Sequence, residues 1–431
     1  MIGSFMKIYS TFRALLTVRI LLVTILVFPI LPGCRALDVV KLQYGNRYAK
    51  HSWQTEKSSI EIPFKWSNGH IIIPVSINGS DPLRLALDSG ASVTVIFESH
   101  RTKNLPLTFG NQISIGSSKS GKNTRANIVN NAVIGIDKIE LIDLTLLQIP
   151  LEHSPLFSDM DEVYFDGAIG YDLLSRFVVR IDYVSQKIIF THPKKLKIDE
   201  TQWRALPLNI VSNVPYLKAQ VENQPGTTAS VDLLVDTGAP NYLYINPDLH
   251  PQVTRPQRYY LTTSKGFNRD YQSYIGRLDR LTFGGYEMEN LATSFDMADY
   301  SDIESHGLLG NGTLRKFDIV FNYSKRQLLI RPNQHFNLPS WLDRSGLDLA
   351  PHRQGALVKN VEEGSGGDNI GIEVGDLITH YNNNPVNDDT FDDLKQLLGS
   401  DQSAVELCWL SKAVRQCRPL TLQSRLRPKQ V

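Results

Sequence analysis

The sequence predicts a mainly β, two-lobed body with pseudo-two-fold symmetry, followed by a small α+β module. Three observations carry that expectation. An acidic turn occurs twice, in LALDSGASVTVI from Leu85 to Ile96 and in LLVDTGAPNYLY from Leu233 to Tyr244. A longer stretch, GYDLLSRFVVRIDYVSQKIIF from Gly170 to Phe190, aligns without a gap on GNGTLRKFDIVFNYSKRQLLI from Gly310 to Ile330, 140 positions on (310 − 170). After Pro339 the texture changes to Gly-rich turns between short apolar runs, over a length that suits a small independent domain.

The chain opens on a leader. Met1 to Arg19 carries Lys7, Arg13 and Arg19 and no acid, and the apolar stretch Ile20 to Gly33 is short for a membrane span, which together read as an export signal. Leu31-Pro32-Gly33-Cys34 resembles the bacterial lipoprotein processing site, which implies lipidation of Cys34, although Pro32 departs from the small or aliphatic residue usual there. A plain secretory signal cut after Ala36 and an uncleaved anchor are the other readings. Each puts the remainder outside the cytoplasm, in the periplasm or lipid-anchored to the bacterial envelope. The segment boundaries expected on this basis are 1–36 for the leader, 37–198 and 199–335 for the lobes, 340–424 for the module and 425–431 for a polar tail.

Within the lobes, HIIIPVSIN and PYLKAQVEN are apolar or alternating runs that lead through a turn into the acidic segment. KIIF and QLLI read as short buried strands. Each half also holds a polar, Gly-containing section between strand-like sequences, Ser117 to Arg125 and Thr262 to Asp270, which predicts two hairpins. Helix is scarce, the best candidates being DLLSRF near Asp172 and TLRKF near Thr313.

Asp-Ser-Gly or Asp-Thr-Gly alone is a generic turn, because all three residue types favour turns. Two copies 148 positions apart (236 − 88), each after three apolar residues and each trailed by a hydrophobic-hydrophobic-Gly element at Ala168-Ile169-Gly170 or Leu308-Leu309-Gly310, ask for a common cause. An isolated buried carboxylate is expensive, but two brought face to face share one proton, so one pKa rises as the other falls. Asp88 and Asp236 would then act as acid and base on a water and a substrate carbonyl, with no metal, cofactor or covalent intermediate. Ser89 and Thr237 would hydrogen-bond across the axis, and Gly90 and Gly238 would let backbone N–H groups approach the carboxylates.

These residues resemble the aspartic proteases over roughly Ile60 to Arg331, and DGAIGYDLLSRFVVRIDY is similar to their bacterial retropepsin-like branch. The resemblance implies the bilobal, β-barrel-like acid-protease fold, a catalytic dyad of Asp88 and Asp236, and hairpin flaps over an extended peptide. Ala91 and Ala239 stand where pepsins carry a hydroxyl residue, a departure that implies a mildly rather than strongly acidic optimum. Pro240 removes a backbone donor and breaks the symmetry with Ser92. The flap tyrosine of pepsin is missing from the first hairpin, while Phe267, Tyr271 and Tyr274 lie in the second. One chain supplies both aspartates, so a monomer should suffice, with the dimer of a retrovirus-type enzyme as the other arrangement.

GALVKNVEEGSGGDNIGIEVGDLITHYNNNPV resembles a PDZ domain of the kind attached to bacterial exported proteases, most specifically at Gly371 to Ile378. By that resemblance Gly346, Leu347, Asp348 and Leu349 match the loop whose N–H groups capture a peptide C-terminus, with Asp348 in place of a small residue. Its charge would oppose an anionic ligand, leaving peptide capture and a packing role both open. With Cys34 lipidated or removed, Cys408 and Cys417 remain as an even pair on two short strands, as a disulfide or as two half-buried thiols.

Other chemistries find no support. Forty-five basic against forty-four acidic residues leave +1, which gives nucleic acid or an anionic membrane no electrostatic hold, so a lipid on Cys34 is the one membrane contact expected. The ten histidines include no HExxH, the serines no GxSxG, and Gly364-Ser365-Gly366-Gly367 lacks the lysine of a phosphate loop. Two functions remain: an exported aspartic endopeptidase acting on extended polypeptide, its PDZ-like module recruiting or regulating substrate, and a non-catalytic peptide-binding envelope protein using the same groove.

Overall fold

The computed structural model describes residues 42, 46, 49–115, 124–154, 156–196, 198–224, 226–265, 270–296 and 305–428. The leader expectation at 1–36, including Cys34, lies outside the described residues, as do Phe267 and the tips of both predicted hairpins. The fold is mainly β with barrel-like sheets. One nine-stranded sheet gathers strands between Lys50–Trp53 and Gly167–Ile169, and a second, also nine-stranded, gathers those from Asn209–Val211 to Tyr286–Asp296 together with Gly307–Gly310 and Arg427–Pro428. Between them runs a six-stranded sheet in the order Arg204–Pro207, Gln327–Pro332, Phe317–Asn322, Val178–Asp182, Lys187–Thr191, Ser59–Pro63.

That middle sheet is where the sequence repeat meets itself. Val178–Asp182 pairs antiparallel with Phe317–Asn322, in the register Val179 with Phe321, Arg180 with Val320 and Ile181 with Ile319. Arg180 and Val320 are also repeat mates, 140 positions apart (320 − 180). A residue paired with its own mate lies on the symmetry axis, so the pseudo-two-fold passes between these two strands. Phe190, Phe317, Ile319 and Phe321 are fully buried there and join the cores of both lobes into one hydrophobic cluster.

Each half contains a hairpin: Thr108–Ile115 pairs with Thr124–Ile136, and Arg258–Lys265 with Asp270–Phe283. The two short helices fall at Tyr171–Leu174 and Asn311–Leu314. A further turn, Ser67-Asn68-Gly69-His70, joins Lys65–Ser67 to His70–Ile77. With φ of 48° at Asn68 and 79° at Gly69, it uses the left-handed conformations a two-residue hairpin requires and Asn-Gly accommodates.

The C-terminal module is a separate sheet in the order Leu347–His352, Gly355–Val361, Leu377–Tyr381, Ala404–Ser411, Val414–Thr421, with the helix Phe391–Leu398 packed on a core around the fully buried Trp409. Cys408 and Cys417 face each other in the last strand pair and form a disulfide, which excludes the two-thiol alternative.

Because Phe321 is fully buried on the axis, Phe321→Ala removes contacts from both lobes at once. We expect a loss of about 3–5 kcal/mol in urea unfolding. A loss below ~1 kcal/mol would show that the lobes do not depend on this junction.

Candidate active site

Leu83–Leu87 and Thr227–Asp236 are the central strands of their lobes, and each delivers its acidic turn to the seam between them. Each is flanked on one side by a parallel strand. Gly167–Ile169 runs beside Leu85 to Leu87, and Gly307–Gly310 beside Leu233 to Asp236. The glycine that ends each flanking segment is required by close approach. A Cβ on Gly170 would collide with the carbonyl oxygen of Asp88, and one on Gly310 with that of Asn241.

The turns interlock. Ser89 N–H donates to Thr237 Oγ1 at 2.9 Å and Thr237 N–H to Ser89 Oγ at 3.0 Å. The hydroxyls pass their own protons across the axis, Ser89 Oγ to the Val235 carbonyl at 2.6 Å and Thr237 Oγ1 to the Leu87 carbonyl at 2.7 Å. Both side chains are fully buried, so these four bonds have no water to replace them. Gly90 N–H donates to Asp88 Oδ1 and Gly238 N–H to Asp236 Oδ1, each at 2.8 Å. Each glycine also faces the opposite carboxyl. A Cβ on Gly90 would stand 2.9 Å from the Asp236 carboxyl carbon, and one on Gly238 would overlap that of Asp88.

Asp88 and Asp236 are hydrogen-bonded to each other. Burial raises both carboxyls above the usual range. For Asp88 the neighbouring Asp236 charge and the shared hydrogen bond add to the rise, whereas for Asp236 that bond acts downward. Two buried carboxyls this close cannot both ionise freely, so the pair titrates as a unit that favours holding one proton in common.

The dyad sits on the floor of a cavity of about 1330 Å³ lined by both lobes, by the strand Arg258–Lys265 and by the C-terminal module. The module is tied in at several points. Asn68 N–H donates to Asp392 Oδ2 at 2.7 Å, Lys395 Nζ to Asn68 Oδ1 at 3.0 Å, Lys65 pairs with Asp389 at 2.7 Å, and Lys359 pairs with Glu162. Farther along, Arg427–Pro428 adds a strand to Arg258–Lys265, and the Arg425 guanidinium lies 3.8 Å from the centre of the Tyr260 ring.

Sequence reasoning singled out neither the support of the second turn nor the module's place at the cleft. Asn311 Nδ2 donates to the Thr237 carbonyl at 2.5 Å and to the Gly69 carbonyl at 2.9 Å, while Tyr183 Oη donates to Asn311 Oδ1 at 2.8 Å. Its position directly after the hydrophobic-hydrophobic-Gly element was the available signal. His70, stacked on Phe165 at 5.4 Å, has Nδ1 within 3.1 Å of Tyr164 Oη, and burial pushes its imidazole down to about 4, so it is neutral at the cavity wall. Pro240 packs beneath Gly69. Of the second-hairpin aromatics, Tyr274 meets Tyr259 at 4.6 Å and Arg255 at 5.2 Å.

In the loop Gly346-Leu347-Asp348-Leu349 the first two backbone donors are already taken. Gly346 N–H is bonded to Asp343 Oδ1 at 2.8 Å, Leu347 N–H to Ser345 Oγ at 3.1 Å, and Asp348 Oδ2 accepts from Thr262 Oγ1 at 3.3 Å. The expected capture of a peptide C-terminus there meets a loop whose first donors are already satisfied.

Residues 73–173 match the family model described as aspartyl protease, and residues 357–409 match the model described as PDZ domain. The first match includes Asp88, while Asp236 lies beyond it. The resemblance to an aspartic protease joined to a PDZ domain is borne out on these two segments. Among solved structures, the chain is similar to an aspartic proteinase from Irpex lacteus, with a TM-score of 0.41 and 11% identity over 65% of this chain and 99% of that one. It is also similar to Basic 7S globulin from soybean, with a TM-score of 0.43 and 9% identity over 66% of this chain and 97% of that one. No curated protein matches the chain.

Thr237→Val keeps the shape of the side chain but orphans the buried Ser89 N–H and Leu87 carbonyl. Each orphaned group should cost about 1–3 kcal/mol, read as a lower Tm, and Thr237→Ser should restore most of it. Equal Tm values for the valine and serine variants would refute the role given to the hydroxyl.

Proposed function

We propose that this chain is an exported aspartic endopeptidase that hydrolyses peptide bonds with a water activated between Asp88 and Asp236. The observation that carries the proposal is the meeting of two buried carboxyls, delivered by repeat-related turns, in one cavity. Asp236, ionised, takes a proton from the water as its oxygen bonds to the scissile carbonyl carbon. Asp88 gives its proton to the carbonyl oxygen, yielding a neutral tetrahedral diol. Collapse returns the diol proton to Asp88 and passes the Asp236 proton to the leaving nitrogen. The C–N bond breaks, and the dyad ends in its starting state.

Both aspartates come from one chain, which supports a monomer as the working unit. The leader at 1–36 and the Cys408–Cys417 disulfide support an oxidising location, periplasmic or, through Cys34, anchored to the envelope.

On an unfolded protein substrate at pH 3 to 7, Asp236→Asn should lower kcat by about 10²–10⁴-fold. Equal cleavage by wild type and variant would sink the enzymatic reading. Gly238→Ala drives a methyl into the Asp88 carboxyl. We expect it to cost about 10²-fold or more in kcat with the fold intact by circular dichroism. With both carboxyls raised by burial and no hydroxyl at Ala91 or Ala239, the pH–rate profile should peak in mildly acidic solution. A maximum below about pH 3 contradicts it.

The same shifts bear on stability. A carboxyl raised in the folded state favours folding at low pH, and that contribution is lost as pH rises through its folded pKa. Asp88→Asn removes the unfavourable ionisation, so it should raise Tm at pH 7 and raise it less at pH 4. A Tm gain independent of pH would contradict that assignment.

A further inference from the structure

The cavity that holds the dyad does not stop at the protease lobes. Leu347, Leu349 and Pro351 of the first PDZ strand, and Lys395 and Leu398 of the helix Phe391–Leu398, line the same space as Asp88 and Asp236. The strand Leu347–His352 pairs on one side with Gly355–Val361, and its other edge has no strand partner among the described residues. Along an antiparallel pair, every second residue turns its backbone groups away from the partner, so that edge offers donors and acceptors to a further strand.

What fills the head of the groove decides the ligand. Asp343 Oδ1 accepts from Ser345 N–H at 3.1 Å and from Gly346 N–H at 2.8 Å, while Asp343 Oδ2 takes the Ser345 hydroxyl at 2.7 Å. Arg425 Nη1 stands 3.0 Å from Asp343 Oδ1 and its Nε 2.5 Å from Glu362 Oε2, in a side chain 7% exposed. The chain thus places its own carboxylate, with its own counter-cation, on the first donors of the loop. A second carboxylate arriving there would meet like charge and satisfied donors.

We propose that the PDZ groove is a continuation of the catalytic cleft, and that it grips an internal segment of the extended polypeptide being cut, rather than a free C-terminus. This rests on the endopeptidase reading and specifies its substrate class: unfolded chains long enough to reach from the dyad to Leu347–His352, with no requirement for a terminal carboxylate. The backbone of the substrate adds a strand to that edge, and its side chains pack on the groove wall at the partly buried Leu349.

The test uses the full chain carrying Asp236→Asn and measures binding by fluorescence anisotropy, so it does not need turnover. Two unstructured peptides of about 20 residues, identical but for a free or an amidated C-terminus, are compared with an 8-residue peptide of the central sequence. We expect the amidated and free 20-mers to bind within a factor of two of each other, and the 8-mer at least tenfold more weakly. Ala350→Trp, which fills the groove without removing a core contact, should weaken the 20-mers about tenfold and leave the 8-mer unchanged. A free 20-mer that binds tenfold tighter than the amidated one would overturn the proposal in favour of C-terminal capture. So would equal binding of the 20-mers by the Ala350→Trp chain and its parent. Turnover by the Asp236 chain is assayed separately, so an inactive wild type that still binds the 20-mers would sink the catalytic reading and leave the groove standing.

Discussion

Two carboxyl groups that repel each other and prefer water are held against one another at the base of a cleft, and most of the two-lobed body is arranged to keep them there. Burial and mutual repulsion push the pair apart or toward neutrality. What resists is a set of four hydrogen bonds in which each lobe's hydroxyl occupies the other lobe's backbone. Neither lobe satisfies the middle residue of its own turn. Ser89 N–H and the Leu87 carbonyl belong to one half and find their partner in the other, so separation of the lobes would strand buried polar groups as well as open the dyad. The six-stranded sheet on the axis adds hydrophobic burial to the same junction.

The two-fold symmetry is strict where the carboxyls are held and relaxed a few residues away. Behind the first turn, Asp172 is fully buried and its carboxylate accepts from Thr94 N–H at 3.0 Å, Thr94 Oγ1 at 2.6 Å and Asn46 Nδ2 at 3.1 Å. The repeat mate of Asp172 is Gly312 (172 + 140), and the mate of Thr94 is Tyr242 (94 + 148). There the polar plug is replaced by packing: Tyr242 fills the space, and a Cβ on Gly312 would lie 2.8 Å from its ring. The coupled exchange of Asp and Thr for Gly and Tyr conserves filled volume while giving one lobe a buried polar network and the other an aromatic wall on the cavity.

Much of the fold was legible in the sequence because it depends on short-range pattern. The apolar run of His70–Ile77, the Gly170 and Gly310 repeats, and the two small helices follow from local spacing. The dyad was legible for a related reason: a costly tripeptide written twice in matched surroundings constrains its own explanation. Asn311 and Asp343 were not. Each is a common polar residue whose role comes from partners far away in the chain or from the turn it happens to cap. Asn311 reaches Gly69, 242 positions away. The loop Gly346 to Leu349 shows the converse limit: its residue types suggested open donors, but a nearby aspartate and the distant Arg425 had already used them.

The turn Asn68-Gly69 joins these two levels of organisation. On its outer side it meets the PDZ helix, through Asn68 N–H to Asp392 and Lys395 to Asn68 Oδ1. On its inner side the Gly69 carbonyl accepts from Asn311 Nδ2, the group that also holds the Thr237 carbonyl of the second acidic turn. Three side-chain steps therefore link the wall of the PDZ groove to the backbone behind Asp236. A module attached by a loose linker would exert no mechanical effect on the dyad. One that shares a hydrogen-bonded turn with it does, because any displacement of the helix Phe391–Leu398 must either carry Asn68 along or break two hydrogen bonds, one of them to an ionisable carboxylate. Filling of the groove and geometry of the dyad are in this way bound to one small element, a two-residue hairpin whose left-handed backbone admits few alternatives.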